Sequence, residues 1–207
     1  MKRFIIIALT LSFSFFVFSC SEEDDAVTDT DPLIATWESD CMIDPDQTTE
    51  SYKERLVASS LTAGTFSRDV YPDTTCATLM MTVDLTASSI VGSEITIDSG
   101  ETVTEFDLIF TAASFTPKSA TAVSDFNSTS MCGYTDWVLD VAKDVSAKLG
   151  LTQACGGPTL DEAIYTIYYL SNANTNLQLG DTNNSANDGS TAALRESVLS
   201  AIIMTKK

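Results

Sequence analysis

Leu79-Met80-Met81-Thr82-Val83-Asp84-Leu85 and Thr104-Glu105-Phe106-Asp107-Leu108-Ile109-Phe110 are the stretches that decide how this chain folds. In the first, Leu79, Met81, Val83 and Leu85 fall on one side and Met80, Thr82 and Asp84 on the other. In the second, Thr104, Phe106, Leu108 and Phe110 oppose Glu105 and Asp107. Neighbouring side chains of a strand point to opposite faces, so a period of two predicts strands with one buried and one wetter face. That is the habit of antiparallel sheets. Ile95-Thr96-Ile97-Asp98 and Tyr165-Thr166-Ile167-Tyr168-Tyr169 add β-branched and aromatic residues that suit a pleated surface.

Turn-forming residues punctuate these runs at Gly64, Tyr71-Pro72-Asp73, Ser99-Gly100, Thr116-Pro117, Gly156-Gly157-Pro158 and Asn187-Asp188-Gly189. Short strands at this spacing predict an all-β domain over residues 33–207, an antiparallel β-barrel or else a β-sandwich. Trp137, Val141, Val145 and Leu149 recur every four residues and could share a helical face. Trp137, Leu139 and Val141 also alternate, and strand is the favoured reading. A short C-terminal helix is expected across residues 190–200, which carry Leu194, Val198 and Leu199, with a closing strand across 202–205.

Lys2 and Arg3 precede an apolar and small-residue run through residue 18, the order of a secretory signal peptide. A bilayer crossing needs about 20 apolar residues, so residues 1–19 are expected to be removed rather than retained. Val17-Phe18-Ser19-Cys20 resembles the lipobox of bacterial lipoproteins, which implies lipidation of Cys20 and a membrane as the partner held through it. Each buried methylene contributes about 0.8 kcal/mol and a single acyl chain binds marginally, so stable anchoring requires more than one. Residues 20–32 open with Ser21-Glu22-Glu23-Asp24-Asp25 and cannot bury apolar area, which makes them an acidic tether. The run also resembles the acidic export signal of surface lipoproteins in some Gram-negative bacteria. Ser21 directly after the cysteine resembles the outer-membrane sorting pattern, so an outer-membrane location in the cell envelope is expected.

Charge narrows the partners. The chain has a formal charge of −18, and loss of Lys2 and Arg3 with the leader leaves 9 basic against 29 acidic residues, or −20. Such a surface repels phosphate backbones and anionic headgroups, which excludes nucleic acid as an expected partner. Cationic partners and divalent ions stay compatible with it. After residue 19 no second hydrophobic span occurs.

Five cysteines leave an odd one in an oxidising compartment, and lipidation of Cys20 leaves four that can pair. Cys41, Cys76, Cys132 and Cys155 lack the close C-x-x-C pairs of metal sites, so two disulfides are expected. Three pairings are open. The favoured one joins Cys41 to Cys76 and Cys132 to Cys155, because each bridge then closes a local excursion between neighbouring strands.

Ile34-Ala35-Thr36-Trp37-Glu38-Ser39-Asp40-Cys41 resembles the first strand of lipocalin-like barrels, with Trp37 in the place of the family's closed-end tryptophan. Ser51-Tyr52, Tyr71-Pro72-Asp73 ahead of Cys76, and Arg195 near the C-terminus are similar to the order in small bacterial lipocalin-like lipoproteins of unassigned function. The resemblance implies a closed barrel in which Trp37 packs on Arg195, a cation–π pair contributing about 1–2 kcal/mol when shielded from water.

Several chemistries have no residues to carry them. There is no histidine, which removes histidine-dependent nucleophilic catalysis and the commonest metal ligand. Paired cysteines offer no thiol nucleophile, and no Gly-rich phosphate loop is present. Asp136 and Asp140 beside Trp137 are the carboxylates nearest to a glycosidase arrangement, but neighbouring acids are expected by chance in so acidic a chain. Asp181-Thr182-Asn183-Asn184-Ser185-Ala186-Asn187-Asp188-Gly189 is rich in oxygen ligands, yet Ala186 and Ala192 stand where a calcium loop of the EF-hand type needs glycine and glutamate. An exposed turn is the better reading. The expected function is therefore non-enzymatic and free of cofactors: a binding module whose eight-stranded interior holds one small apolar ligand. Met80, Met81, Phe106, Phe110, Tyr165 and Tyr169 are the candidate lining. The alternative is a structural or adhesive surface protein, which a filled interior would favour.

Overall fold

A computed structural model describes residues 31–45, 47–149, 155–181 and 186–207. The leader, Cys20, the tether through residue 30 and residues 182–185 of the oxygen-rich turn lie outside them. Ten strands are present among the described residues: β1 (Thr36–Ser39), β2 (Met42–Ile43), β3 (Ser51–Ser60), β4 (Ala63–Tyr71), β5 (Met81–Thr96), β6 (Thr102–Pro117), β7 (Lys143–Asp144), β8 (Ala163–Ser171), β9 (Asn176–Leu179) and β10 (Met204–Lys206). Omitting the two-residue strands β2 and β7, each strand pairs antiparallel with the next along the chain. β1 then pairs with both β10 and β3. That double pairing closes an eight-stranded up-and-down barrel, so neither end of the strand order is left as an open edge, and it decides the fold against a sandwich.

The alternating residues of β5 and β6 explain the closure. Leu85, Phe106, Leu108 and Phe110 are all buried in the interior core. Thr86 pairs with Ala112 and Ala87 with Phe110, so Thr111 is an extra residue in β6. This bulge resets the alternation and lets Phe110, Ala113 and Phe115 all face inward on one continuous strand. Farther along, the hairpin of β5 and β6 outlasts the barrel wall. Its end, with Ile97 and Val103, forms a second, smaller core with the fully buried Ile167, whose phase on β8 is outward.

Trp37 closes one end. It is 0% exposed, and its Nε1 donates to the carbonyl of Leu33 at 2.8 Å. The cation over its ring is Lys206, paired with it in the β1–β10 register, with Nζ 5.6 Å from the ring centre. Arg195 does not take that role. It lies on the outer face, where Glu105 and Asp107 bind its guanidinium at 3.2 and 2.5 Å and the Tyr165 ring lies 5.6 Å away. Two outward-phase carboxylates are a stronger attraction for a guanidinium than an aromatic face already roofed by a lysine.

Helix placement also departs from expectation. The one α-helix among the described residues, α1 (Ala120–Thr129), follows β6; Ser119 caps it by accepting from the Ala122 amide, and Ala122 and Phe126 give it a buried edge. Residues 190–200 hold only a single 3-10 turn, Ala192–Leu194. Beyond it the backbone bonds to the barrel wall instead of to itself: the Glu196 amide donates to Tyr165, the Asp181 amide to Val198 and the Ser200 amide to Leu179. Residues 137–149 supply only the two-residue β7 as strand, paired with β6. Trp137 and Val145 are nevertheless buried, while Leu139 and Val141 are exposed. The closing strand, β10, is in place.

Both disulfides take the favoured pairing, Cys41 with Cys76 and Cys132 with Cys155. The first ties the β1–β2 connection to the one between β4 and β5. The second fastens the long excursion between β6 and β8.

Candidate functional site

The inward phase of β3 reads Tyr52, Glu54, Leu56, Ala58, and that of β4 reads Phe66, Arg68, Val70 in register with it. A charged residue therefore stands on the apolar face of each strand, and the register places the two opposite one another. Glu54 and Arg68 form an ion pair at 2.5 Å, with the Arg68 guanidinium 4.5 Å from the centre of the Tyr52 ring. Glu54 has only 8% of its side chain exposed and Arg68 has 44%, so the pair runs from the interior to the rim. Burial, and secondly the Glu54 charge, push the Tyr52 hydroxyl above its ordinary pKa.

This pair forms one wall of a cavity of about 360 Å³ inside the barrel. Leu85, Leu108, Phe110, Ile164, Leu179 and Met204 supply most of its apolar lining. Small-molecule sites span about 300–1,000 Å³, mostly apolar with a few converging polar groups. The cavity fits that description at the small end.

The wall opposite the ion pair is polar for a different reason. Thr166 faces inward from β8 in register with Phe106. Past the end of β9, Gly180 and Asp181 continue the wall, and the extended segment after Arg195 covers it, so Arg195 faces out while Glu196 lines the cavity. Glu196 is 1% exposed. Its Oε2 accepts a hydrogen bond from the Thr166 hydroxyl, and its Oε1 has no hydrogen-bond partner among the described residues. Burial raises the Glu196 carboxyl pKa above the ordinary carboxylate value, the Asp181 charge adds to this, and the Thr166 hydroxyl opposes it. No protein-family model matches the chain, and no curated protein matches it.

Of the residues expected to line an interior, Phe110 alone is in the cavity wall. Phe106 is buried in the core against Tyr168, their rings edge to face at 5.5 Å. Met80 and Met81 pack partly buried against that core. Tyr165 and Tyr169 have the outward phase of β8: the first meets Arg195, and the second joins the smaller core. Asp136 and Asp140 are surface partners of Lys143 and Lys118 and do not line the cavity. Asp181, the first residue of the oxygen-rich turn, does line it. Glu54 and Arg68 were findable in the sequence as charges in the apolar phase of adjacent strands. Glu196 carried no such signal, because no periodic pattern surrounds it.

Proposed function

We propose that this chain is a lipid-anchored envelope protein whose barrel takes up one small molecule with an apolar body. The observation carrying this reading is the cavity inside the closed barrel, lined by aliphatic and aromatic side chains with a few polar groups converging on it. Close-packed interiors have few voids larger than a water molecule, so a space of this size favours a container over a filled structural module. The site reads as non-catalytic: its polar side chains among the described residues are the carboxyls of Asp181 and Glu196, the hydroxyls of Tyr52, Thr166 and Ser200, and an internally paired Glu54–Arg68 couple, with no activated nucleophile among them.

Native extraction, followed by mass spectrometry of small molecules released on denaturation, tests the uptake. A molecule that co-purifies stoichiometrically with the wild type and is lost from a folded Leu108→Trp variant, whose larger indole intrudes on the cavity, is the expected result. A folded wild type that carries nothing and binds no small apolar probe sinks the reading. The anchor is tested separately by Cys20→Ser, which should release the protein from the membrane fraction; an unchanged distribution refutes it.

A further inference from the structure

We propose that the ligand of this cavity carries a primary amine, held as an ammonium by Glu196 at the β8–β9 wall. The inference rests on the reading of the barrel as a container and adds the chemistry of what it contains. Among the described residues, three carboxyl groups and one guanidinium line the space: Glu54, Asp181, Glu196 and Arg68. The only cation among them is already committed to Glu54. The other basic group nearby, Arg195, faces away and is held by Glu105 and Asp107. Glu196 thus faces the space without a basic partner among the described residues.

Glu196 is the decisive residue. A buried polar oxygen without a partner costs free energy, and few native groups are left that way. Here the orphan is Oε1 of a carboxyl group 1% exposed, in the wall of a cavity with room for a ligand. The wall is also shaped around this carboxyl. At Gly180 a Cβ would lie 2.1 Å from Glu196 Oε2 and 2.6 Å from Thr166 Oγ1, so only glycine lets the backbone come this close to the pair. An ammonium has three donors and no acceptor, which suits an unsatisfied carboxylate oxygen. The aliphatic and aromatic walls suit an alkyl or aryl body behind it. A carboxylate or phosphate ligand would meet repulsion from Asp181 and could not draw on an ionised Glu196 as an ammonium does.

The proton inventory follows. With the cavity empty, burial favours the protonated Glu196 carboxyl. An ammonium favours the ionised form, so binding below the carboxyl pKa expels a proton and weakens as pH falls through that value. Asp181 on the same wall and Glu54 with Arg68 across the space are the other charged groups facing it.

Calorimetric titration of the full chain with hexylamine, hexan-1-ol and hexanoate at physiological salt tests the inference, with competition between the first two showing a shared site. The expected result is binding of hexylamine about tenfold or more tighter than hexan-1-ol, as a charge-assisted hydrogen bond in a shielded site provides. Hexanoate should bind weakest. In Glu196→Gln, hexylamine should fall to parity with the alcohol while alcohol binding persists. If that variant does not fold, the wild type alone decides: hexylamine affinity should drop on acidification with proton release, and hexan-1-ol affinity should not. Equal binding of amine and alcohol overturns the amine assignment and leaves the container reading standing. Failure of all three probes to bind overturns both.

Discussion

Replacing Gly180 by alanine is the sharpest probe of the barrel wall beside the cavity. The added methyl would lie 2.1 Å from Glu196 Oε2, 2.6 Å from Thr166 Oγ1 and 2.8 Å from Glu196 Cβ. A carboxylate tip can swing away, but the other two contacts are to atoms close to backbone that is itself bonded in place: the Glu196 amide to Tyr165, the Gly180 amide to Ile167. Overpacking of this kind costs about 1–3 kcal/mol. Displacing the carboxyl also breaks its bond to the Thr166 hydroxyl inside the protein, adding about 1–2 kcal/mol. A destabilisation of about 3 kcal/mol is therefore expected, read as a lower urea midpoint at unchanged slope. In the double variant Gly180→Ala, Glu196→Ala the closest clash disappears, so the two effects should fall short of additive by at least about 1 kcal/mol. A Gly180→Ala protein within about 0.5 kcal/mol of wild type would falsify the placement of Glu196 against this glycine.

Trp37→Ala removes a fully buried indole and should cost about 3–5 kcal/mol in chemical denaturation, whereas Lys206→Met, which removes only the cation 5.6 Å above the ring, should cost under about 1 kcal/mol. Replacing Cys41 and Cys76 together, or Cys132 and Cys155 together, opens loops of 35 and 23 residues. On the chain-entropy model each change costs about 3.5–4 kcal/mol, to be measured by thermal unfolding against the oxidised wild type. Asp73 is held down to a pKa of about 2 by the Thr75 hydroxyl and the amides of Ala77, Thr75 and Thr78. A carboxyl depressed on folding stabilises above its ordinary pKa and loses that contribution as pH falls towards the folded value. The stability gap between wild type and Asp73→Asn should therefore close between about pH 4 and pH 2, and a gap independent of pH would refute the assignment.

What could be read in advance depended on whether a residue belonged to a periodic run. Leu85, Phe106, Leu108 and Phe110 announce an interior because alternation along a strand ties each side chain's direction to its neighbours. The helix α1 was missed because Thr121 and Val123 lower its helical propensity, while its support comes from one serine cap and the burial of Ala122 and Phe126. The expected helix over residues 190–200 failed for the converse reason. Its amides find carbonyls on β8 and β9, which no local pattern reveals.

The sequence by itself determined the all-β class of the domain and the antiparallel habit of its strands, since both rest on local alternation and turn chemistry, while the barrel was implied only by the resemblance around Trp37. Cysteine spacing read together with the predicted strands favoured, among three open pairings, the one the structure has. Tertiary structure alone decided that the sheet closes and that Lys206 rather than Arg195 roofs Trp37. It also decided that Glu196 enters the interior beside Thr166 and Gly180. These are contacts between residues far apart along the chain, and strand register and competition among charges set them, so no window of neighbouring residues contains the information.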